Sequence, residues 1–350
     1  MRSFLTSVLQ QAWCSRGPIA CLLWPVSQLY RAVIVSRAWL YRRGIFSAQP
    51  AYVPTIVIGN VVAGGGGKTP LVMALVAYFS GQGIQVGVIS RGYGRKRADC
   101  QEVRLDTPIY ESGDEPALIK RAQAAPVFVA NDRVLAAKSL LAAYPQTRLV
   151  ICDDGLQHLR LARTVNITVF DDSGLGNAWL LPAGPLRQPW PLTKQSVRNL
   201  VLHTGLKPAF SGFSSTRKLA EYAVAADGAH VSLASLQCVA STQSDLIALA
   251  GIAHPDAFFD MLRSLGLPLG RTIALADHAD FSRLDLASLM QPGQAQLTVL
   301  CTEKDAVKIF ALPQIPSVRI LATPLLFTPE AAFFLALESA LISSPRPAAR

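Results

Sequence analysis

Four glycines, a lysine and a threonine, Gly64-Gly65-Gly66-Gly67-Lys68-Thr69, lie just beyond the apolar, β-branched run that starts Thr55-Ile56-Val57-Ile58-Gly59. Glycines let successive backbone N–H groups curl around phosphate oxygens. In such a loop Lys68 reaches the β- and γ-phosphates, and the Thr69 hydroxyl ligates Mg²⁺. A helix starting near Pro70 aims the positive end of its dipole at the same anion, and a proline early in a helix gives up no needed hydrogen bond. The strict phosphate-loop spacing asks for a glycine five residues before Gly67, where this chain has Val62. Strand, loop and helix order still predict a nucleoside triphosphate site on residues 64–69.

Other groups of matching chemistry follow. Arg148–Cys152 reads as a strand closing on Asp153-Asp154-Gly155, the arrangement in which a carboxylate holds Mg²⁺ beside the phosphate-loop threonine. Ser90 to Arg97 is too rich in glycine and arginine for the interior of an element; its four basic residues either face phosphates or form a solvated turn. Ser112-Gly113-Asp114-Glu115-Pro116 opens a helix that runs to about Gln123, with Asp114 in the capping position and Pro116 in the first turn. Phosphoryl transfer needs a group that deprotonates an acceptor hydroxyl and cations for the charge on the moving phosphoryl group. Asp114, Glu115, Asp153, Asp154 and the arginines at 91–97 have the right chemistry. Thr302-Glu303-Lys304-Asp305 sets Lys and Asp side by side, so it is not the Asn/Thr-Lys-x-Asp guanine reader, and no Leu-Ser-Gly-Gly signature occurs. Two classes remain: a phosphotransferase, and a membrane-associated nucleotide switch that acts on a protein partner.

The elements that must position these residues alternate. Strands are predicted at Gln85–Ile89, Glu102–Leu105, Pro126–Val129, Val165–Phe170 and Asn199–His203, with helices at about 70–80 and from Asn131 or Asp132 to Tyr144. That rhythm predicts an α/β fold: a P-loop NTPase-like parallel sheet flanked by helices, with ligand groups at the carboxyl ends of its strands. Gly205–Lys218 has linker composition, and the rhythm resumes after it with strands at Leu246–Ile252, Arg271–Leu275, Leu297–Cys301 and Val318–Ala322, and helices near Asp256–Leu265 and Pro329–Leu341. The expected organisation is an N-terminal segment 1–46, a nucleotide-binding domain 47–204, a linker 205–218, a second smaller α/β domain 219–342 and a frayed tail 343–350.

Charge is lopsided. Net charge is +10 over 350 residues, yet no Asp or Glu precedes Asp99, and the first 98 residues hold eleven Lys and Arg. A one-sided cation excess calls for a polyanion: nucleic acid, a phosphate-rich ligand or an anionic membrane. Residues 18–41 are strongly apolar but broken by Pro25, Gln28, Arg31 and Arg37. On a helical wheel Leu22, Leu23, Val26, Leu29, Tyr30, Val33, Ile34, Leu40 and Tyr41 share one side, with Gln28, Arg31 and Arg42 opposite. This predicts an N-terminal amphipathic helix lying in a membrane interface, with Trp24 and Trp39 at headgroup level. Packing on the globular core and a true membrane span are the alternatives. Six scattered cysteines (14, 21, 100, 152, 238 and 301) show neither C-x-x-C nor zinc spacing and read as buried thiols in a reducing compartment.

Taken together the motifs resemble those of the tetraacyldisaccharide 4′-kinase family, the lipid A 4′-kinases of Gram-negative bacteria. The resemblance runs in order through Val57-Ile58-Gly59-Asn60 to Pro70, Ser90-Arg91-Gly92-Tyr93-Gly94-Arg95, Gly113-Asp114-Glu115-Pro116, Asp153-Asp154-Gly155-Leu156-Gln157-His158, Leu181-Pro182-Ala183-Gly184-Pro185-Leu186-Arg187, Asp277-His278 with Phe281, and Thr302-Glu303-Lys304-Asp305-Ala306-Val307-Lys308. It implies ATP- and Mg²⁺-dependent phosphorylation of the 4′-hydroxyl of a lipid A disaccharide precursor at the cytoplasmic face of the inner membrane. It implies no nucleic-acid ligand and no obligate protein partner. Lys68 and Thr69 would bind phosphate and metal, and Asp114 would be the base for the sugar hydroxyl, assisted by His278. Glu115, Asp153 and Asp154 would surround the metal, and Arg91, Arg95 and Arg187 would contact substrate or phosphate. The family often carries a second histidine after His278; this chain has Ala279.

Overall fold

The computed structural model describes residues 11–50, 52–64, 66–192, 197–239, 246–277, 279–281, 284–313 and 315–343. Two of the expected site residues, Gly65 and His278, lie outside the described residues, as do residues 344–350 of the expected tail.

The first sheet has seven strands: β1 (Thr55–Gly59), β2 (Val86–Ser90), β3 (Gln101–Val103), β4 (Val127–Val129), β5 (Leu149–Cys152), β6 (Val165–Phe170) and β7 (Arg198–His203). Their order is β3-β4-β2-β5-β1-β6-β7, parallel throughout except for β3, which runs antiparallel to β4. β1 lies inside the sheet between β5 and β6, and Ile56, Val57 and Ile58 are wholly buried because both faces are covered. Each such side chain contributes about 2 kcal/mol of hydrophobic burial, which fixes the strand that delivers the glycine loop. α2 (Lys68–Gly81) and α4 (Asp114–Ala122) pack on one face; α5 (Arg133–Ala143) packs on the other. The one-turn α3 (Ile109–Ser112) precedes α4.

The second sheet contains β9 (Tyr222–Ala225), β10 (His230–Ser232), β11 (Leu246–Ala250), β12 (Arg271–Ala274), β13 (Leu297–Thr302) and β14 (Val318–Thr323), in the order β10-β9-β14-β13-β11-β12. Four of these strands are parallel, and the β9–β10 hairpin extends them antiparallel. α6 (Leu233–Val239) and α7 (Pro255–Ser264) cover one face; α8 (Glu303–Ile309) covers the other and packs on α4 of the first unit.

The connection between the sheets differs from a plain linker. Within the segment expected as linker, Ser215 begins β8 (Ser215–Leu219), which pairs antiparallel with β15 (Leu325–Pro329) from Ser215↔Pro329 to Leu325↔Leu219. The chain therefore leaves the first unit along β8 and returns along β15. The last helix, α9 (Ala331–Ser343), sits in the range expected for the second domain but packs on the first sheet. Phe333, Leu337 and Ala340 join its core, and Phe334 stacks on Tyr78 of α2 at 4.0 Å. Tyr78 Oη also donates to Glu338 Oε1 at 2.8 Å. The apolar side chains of that helix fit the first sheet's uncovered edge over β6 and β7, a pairing with no local signal in the sequence.

The N-terminal helix α1 (Pro18–Arg42) is the one described helix long and apolar enough to cross a membrane by length and composition. Its apolar side is wider than one contact can use. Ala20, Leu23, Ser27 and Tyr30 face the protein: the Ser27 hydroxyl donates to Leu180 O at 2.9 Å and accepts from Ala183 N at 3.0 Å, and Tyr30 Oη donates to Arg187 O at 3.1 Å. Leu22 (79% exposed), Val26, Leu29 (70% exposed) and Val33 form an adjoining stripe open to solvent. The cysteines are not uniformly buried as expected: Cys152 and Cys301 are, whereas Cys14 and Cys21 on the N-terminal segment are exposed.

Candidate functional site

The glycine loop joins β1 to α2, and the helix begins at Lys68, two residues before the expected start. Gly67 caps it with φ +78°, a conformation that any side chain would strain. Lys68 and Thr69 thus occupy the first turn, where free backbone N–H groups and the helix dipole favour an anion. Both side chains are buried. Lys68 Nζ lies 3.5 Å from Asp154 Oδ1.

Asp153 and Asp154 leave the end of β5 next to this lysine. Asp153 is wholly buried; its Oδ2 accepts from the Ser90 hydroxyl at 3.4 Å, and its Oδ1 has no partner. Burial pushes the Asp153 carboxyl up to about 7, and the charges of Glu115 and Asp154 add to the rise. Asp154 holds an unusual backbone φ of +46°. Burial works against its charge, yet Lys68, Arg187 and Arg133 more than compensate and hold it below the ordinary carboxylate value. Arg187 Nη1 donates to both Asp154 oxygens, at 3.3 and 3.4 Å. The buried Arg133 Nη2 reaches the Asp154 carbonyl at 3.2 Å.

An acceptor oxygen buried without a partner beside a second carboxylate suits a cation. Among the described residues no three His, Cys, Asp or Glu side chains gather closely enough to enclose a metal.

Asp114 was expected to cap α4. Gly113 is the cap instead, with φ +86°, and a Cβ there would strike Tyr93 O and the Gly92 backbone. The close crossing of the 92–93 and 112–113 backbones sets the start of the helix. It puts Asp114 and Glu115 in the first turn, with the Asp114 side chain turned to other work than capping. Asp114 is 8% exposed, and its Oδ2 lies 2.5 Å from Lys308 Nζ of α8. Lys308 also donates to Ala279 O at 3.2 Å, and Lys304, one turn earlier, donates to Asp277 Oδ1 at 3.0 Å. The residues flanking position 278 are therefore tied to the helix that pairs with Asp114.

The structure thus brings Lys68, Asp153, Asp154 and Arg187 together, with Thr69 beside Lys68 in the first turn and Glu115 close enough to act on Asp153 by charge. It does not bring Arg91 and Arg95, two of the three arginines of the 91–97 loop, to them in the same way. Arg91 is exposed, and Arg95 folds back to donate to Asp99 O within its own loop. Sequence reading gave no role to Lys308 or Arg133. The i, i+4 spacing of Lys304 and Lys308 on one helix face was the available signal for the first; nothing local marked the second. A cleft of about 770 Å³ lies elsewhere, between α2, α4 and the β9–β10 hairpin, and none of the charged residues just named lines it.

Comparison with known proteins gives one answer. The sequence model of the family described as tetraacyldisaccharide-1-P 4′-kinase matches residues 19–342. The chain is 57% identical to a tetraacyldisaccharide 4′-kinase of Polaromonas naphthalenivorans, over 96% of this chain and 95% of that one. It is 48% identical to the protein of the same name from Acidovorax sp. strain JS42, over 97% and 96%. Among solved structures it is similar to LpxK from Aquifex aeolicus, crystallised with ATP, with a TM-score of 0.76 and 27% identity over 92% of this chain and 98% of that one.

Proposed function

The chain belongs to the tetraacyldisaccharide 4′-kinase family, and from that premise we propose how its residues transfer phosphate from ATP to the 4′-hydroxyl of a tetraacyldisaccharide 1-phosphate lipid. The observation that carries the assignment is the meeting of Lys68 with the Asp153–Asp154 pair at the carboxyl ends of β1 and β5.

The backbone N–H groups of residues 64–69 and the Lys68 ammonium hold the β- and γ-phosphates, as the dipole of α2 favours. Asp153, with Asp154, Glu115 and the Thr69 hydroxyl, would hold Mg²⁺, which would supply neutralisation of phosphate charge when bound. Asp114 takes the proton of the sugar hydroxyl as its oxygen bonds to the γ-phosphorus. The bond from that phosphorus to the β-phosphate oxygen breaks, and ADP leaves with the charge. A carboxylate is a weak base for an alcohol, so its geometry must be fixed; Lys308 fixes it, and His278 is assigned an assisting role. Arg187, already on Asp154, bears on the substrate side. Arg91, exposed at the rim, is assigned to the lipid's 1-phosphate, whereas Arg95 is assigned to shaping its own loop. The nucleotide-binding unit and the smaller α/β unit act as separate domains across the β8–β15 ribbon, and their approach excludes water from the transfer.

The substrate's acyl chains remain in a bilayer, so the enzyme works at the inner membrane, on the cytoplasmic face where ATP is found. The stripe Leu22, Val26, Leu29 and Val33 is the seat of that contact, with Arg31 and Arg42 on anionic headgroups. Replacing Leu22 and Leu29 together with serine is expected to move the protein from the membrane pellet to the high-salt wash. Retention in the pellet until detergent is added would refute attachment through this stripe.

The direct test is transfer of label from γ-labelled ATP to the purified disaccharide lipid. Wild-type protein is expected to label lipid, and Lys68→Ala to lose about 10³-fold or more of the rate. Label released only as free phosphate, with lipid present, would instead favour the nucleotide switch.

A further inference from the structure

Arg217 has no place in the account above, yet it lies against the phosphate loop. It stands on β8, the outgoing strand of the ribbon, and a Cβ built on Gly67 would collide with its Nη2. Thr204 at the end of β7 closes the same corner, its hydroxyl donating to Gly66 O at 3.0 Å. The Arg217 Nε is buried without a hydrogen-bond partner. No carboxylate among the described residues comes within ion-pair distance of its guanidinium. The two nearest acids are otherwise engaged: Asp172 Oδ1 accepts from Lys207 N at 2.6 Å, and Asp171 accepts from Ser173 N at 3.0 Å while its Oδ2 lies 3.9 Å from His254 Nε2. Burial lowers the guanidinium's proton affinity, and the charges of Asp171 and Asp172 only partly restore it.

A desolvated cation with unused donors, held against an anion-binding loop, is incomplete without an anion. The planar fork of a guanidinium matches phosphate oxygens two at a time. Lys68 leans toward β5 through Asp154, whereas Arg217 arrives from β7 on the other side of β1, so the two cations bracket the loop. We propose that Arg217 is a nucleotide-binding residue, which the ribbon between the two sheets delivers to the phosphate chain of ATP. Because β8 is also the outgoing connection to the second unit, nucleotide occupancy and the position of the ribbon become linked. This inference rests on the kinase reading and deepens it.

The test is calorimetric binding of ATP to the full-length protein without lipid, alongside melting of the ligand-free protein. Arg217→Met is expected to weaken ATP binding about tenfold or more, and Arg217→Lys, which keeps a charge without the fork, about threefold. Both are expected to melt with wild-type protein when no ligand is present, and the KM for ATP is expected to rise more than kcat falls. ATP affinity within twofold of wild type in Arg217→Met overturns the inference. So does a lowered ligand-free melting temperature in Arg217→Met with wild-type ATP affinity in Arg217→Lys, since the role is then structural. Either failure leaves the kinase reading standing provided Lys68→Ala has lost lipid phosphorylation; if Lys68→Ala retains it, the reading itself has failed.

Discussion

Asp114→Asn is expected to lower kcat for lipid phosphorylation by about 10³-fold, within the 10²–10⁴ range that a positioned base contributes, while the KM for ATP stays within about threefold. Asparagine keeps the size of the side chain and removes its proton affinity, so the loss reports chemistry rather than packing. Lys308→Met is expected to cost less, about 10- to 100-fold, because it leaves the base present but releases it from the contact that orients it. The double variant is expected to be no slower than Asp114→Asn alone, since Lys308 acts through the carboxylate. Losses that multiply in the double variant would show that Lys308 works independently of Asp114. A kcat for Asp114→Asn near that of wild type would assign the base elsewhere.

Asp153→Asn is expected to make the protein more stable and nearly inactive. The wild-type carboxyl titrates near 7 in the folded protein, above its ordinary 3.8. An unfolded chain therefore loses this proton first. Stability falls as pH rises from about 4 to about 7, and the whole penalty is present above pH 7. A shift of this size corresponds to at most about 4 kcal/mol. At pH 8 without divalent cations the variant should melt several degrees higher, at roughly 2–4 °C per kcal/mol recovered. At pH 4 the difference should vanish. Activity should fall about 10²-fold or more, because the carboxylate proposed to hold the metal has gone. Added Mg²⁺ and ATP should raise the melting temperature of wild-type protein more than that of the variant. A variant that melts lower than wild type at pH 8 would mean that Asp153 earns its burial through the fold and not through a cation.

These two sites differ in how far their residues announced themselves. Asp153 and Asp154 were legible because they follow a buried strand whose apolar run stops abruptly, and Lys68 and Thr69 because a glycine loop after such a strand leads into a helix; β6 was read with its observed bounds, Val165–Phe170. The first sheet is built from such runs, so its nucleotide site could be read locally. Asp114 was read as a cap because an acid before a helix usually caps it, whereas Gly113 takes that place. Only the crossing of two backbones at Gly92 and Gly113 shows why glycine takes that place. Lys308 and Arg217 depend on partners nearly 200 and 150 residues away in sequence, respectively, and no periodicity reports such a meeting. The missed strands have the same cause. β8 reads Ser-Thr-Arg-Lys-Leu, polar and short, and becomes a strand only because β15 lies beside it.

That pairing has a topological consequence. Because the chain departs on β8 and comes back on β15 to finish with α9 under the first sheet, one lobe is an insert in the other and not an appendage at its end. Both crossings run side by side and are stitched to each other by hydrogen bonds, so the inserted lobe can swing like a gate on a doubled strap without twisting freely. A protein truncated ahead of α9 should lose part of the nucleotide lobe's own floor, even though the missing residues come last in the chain.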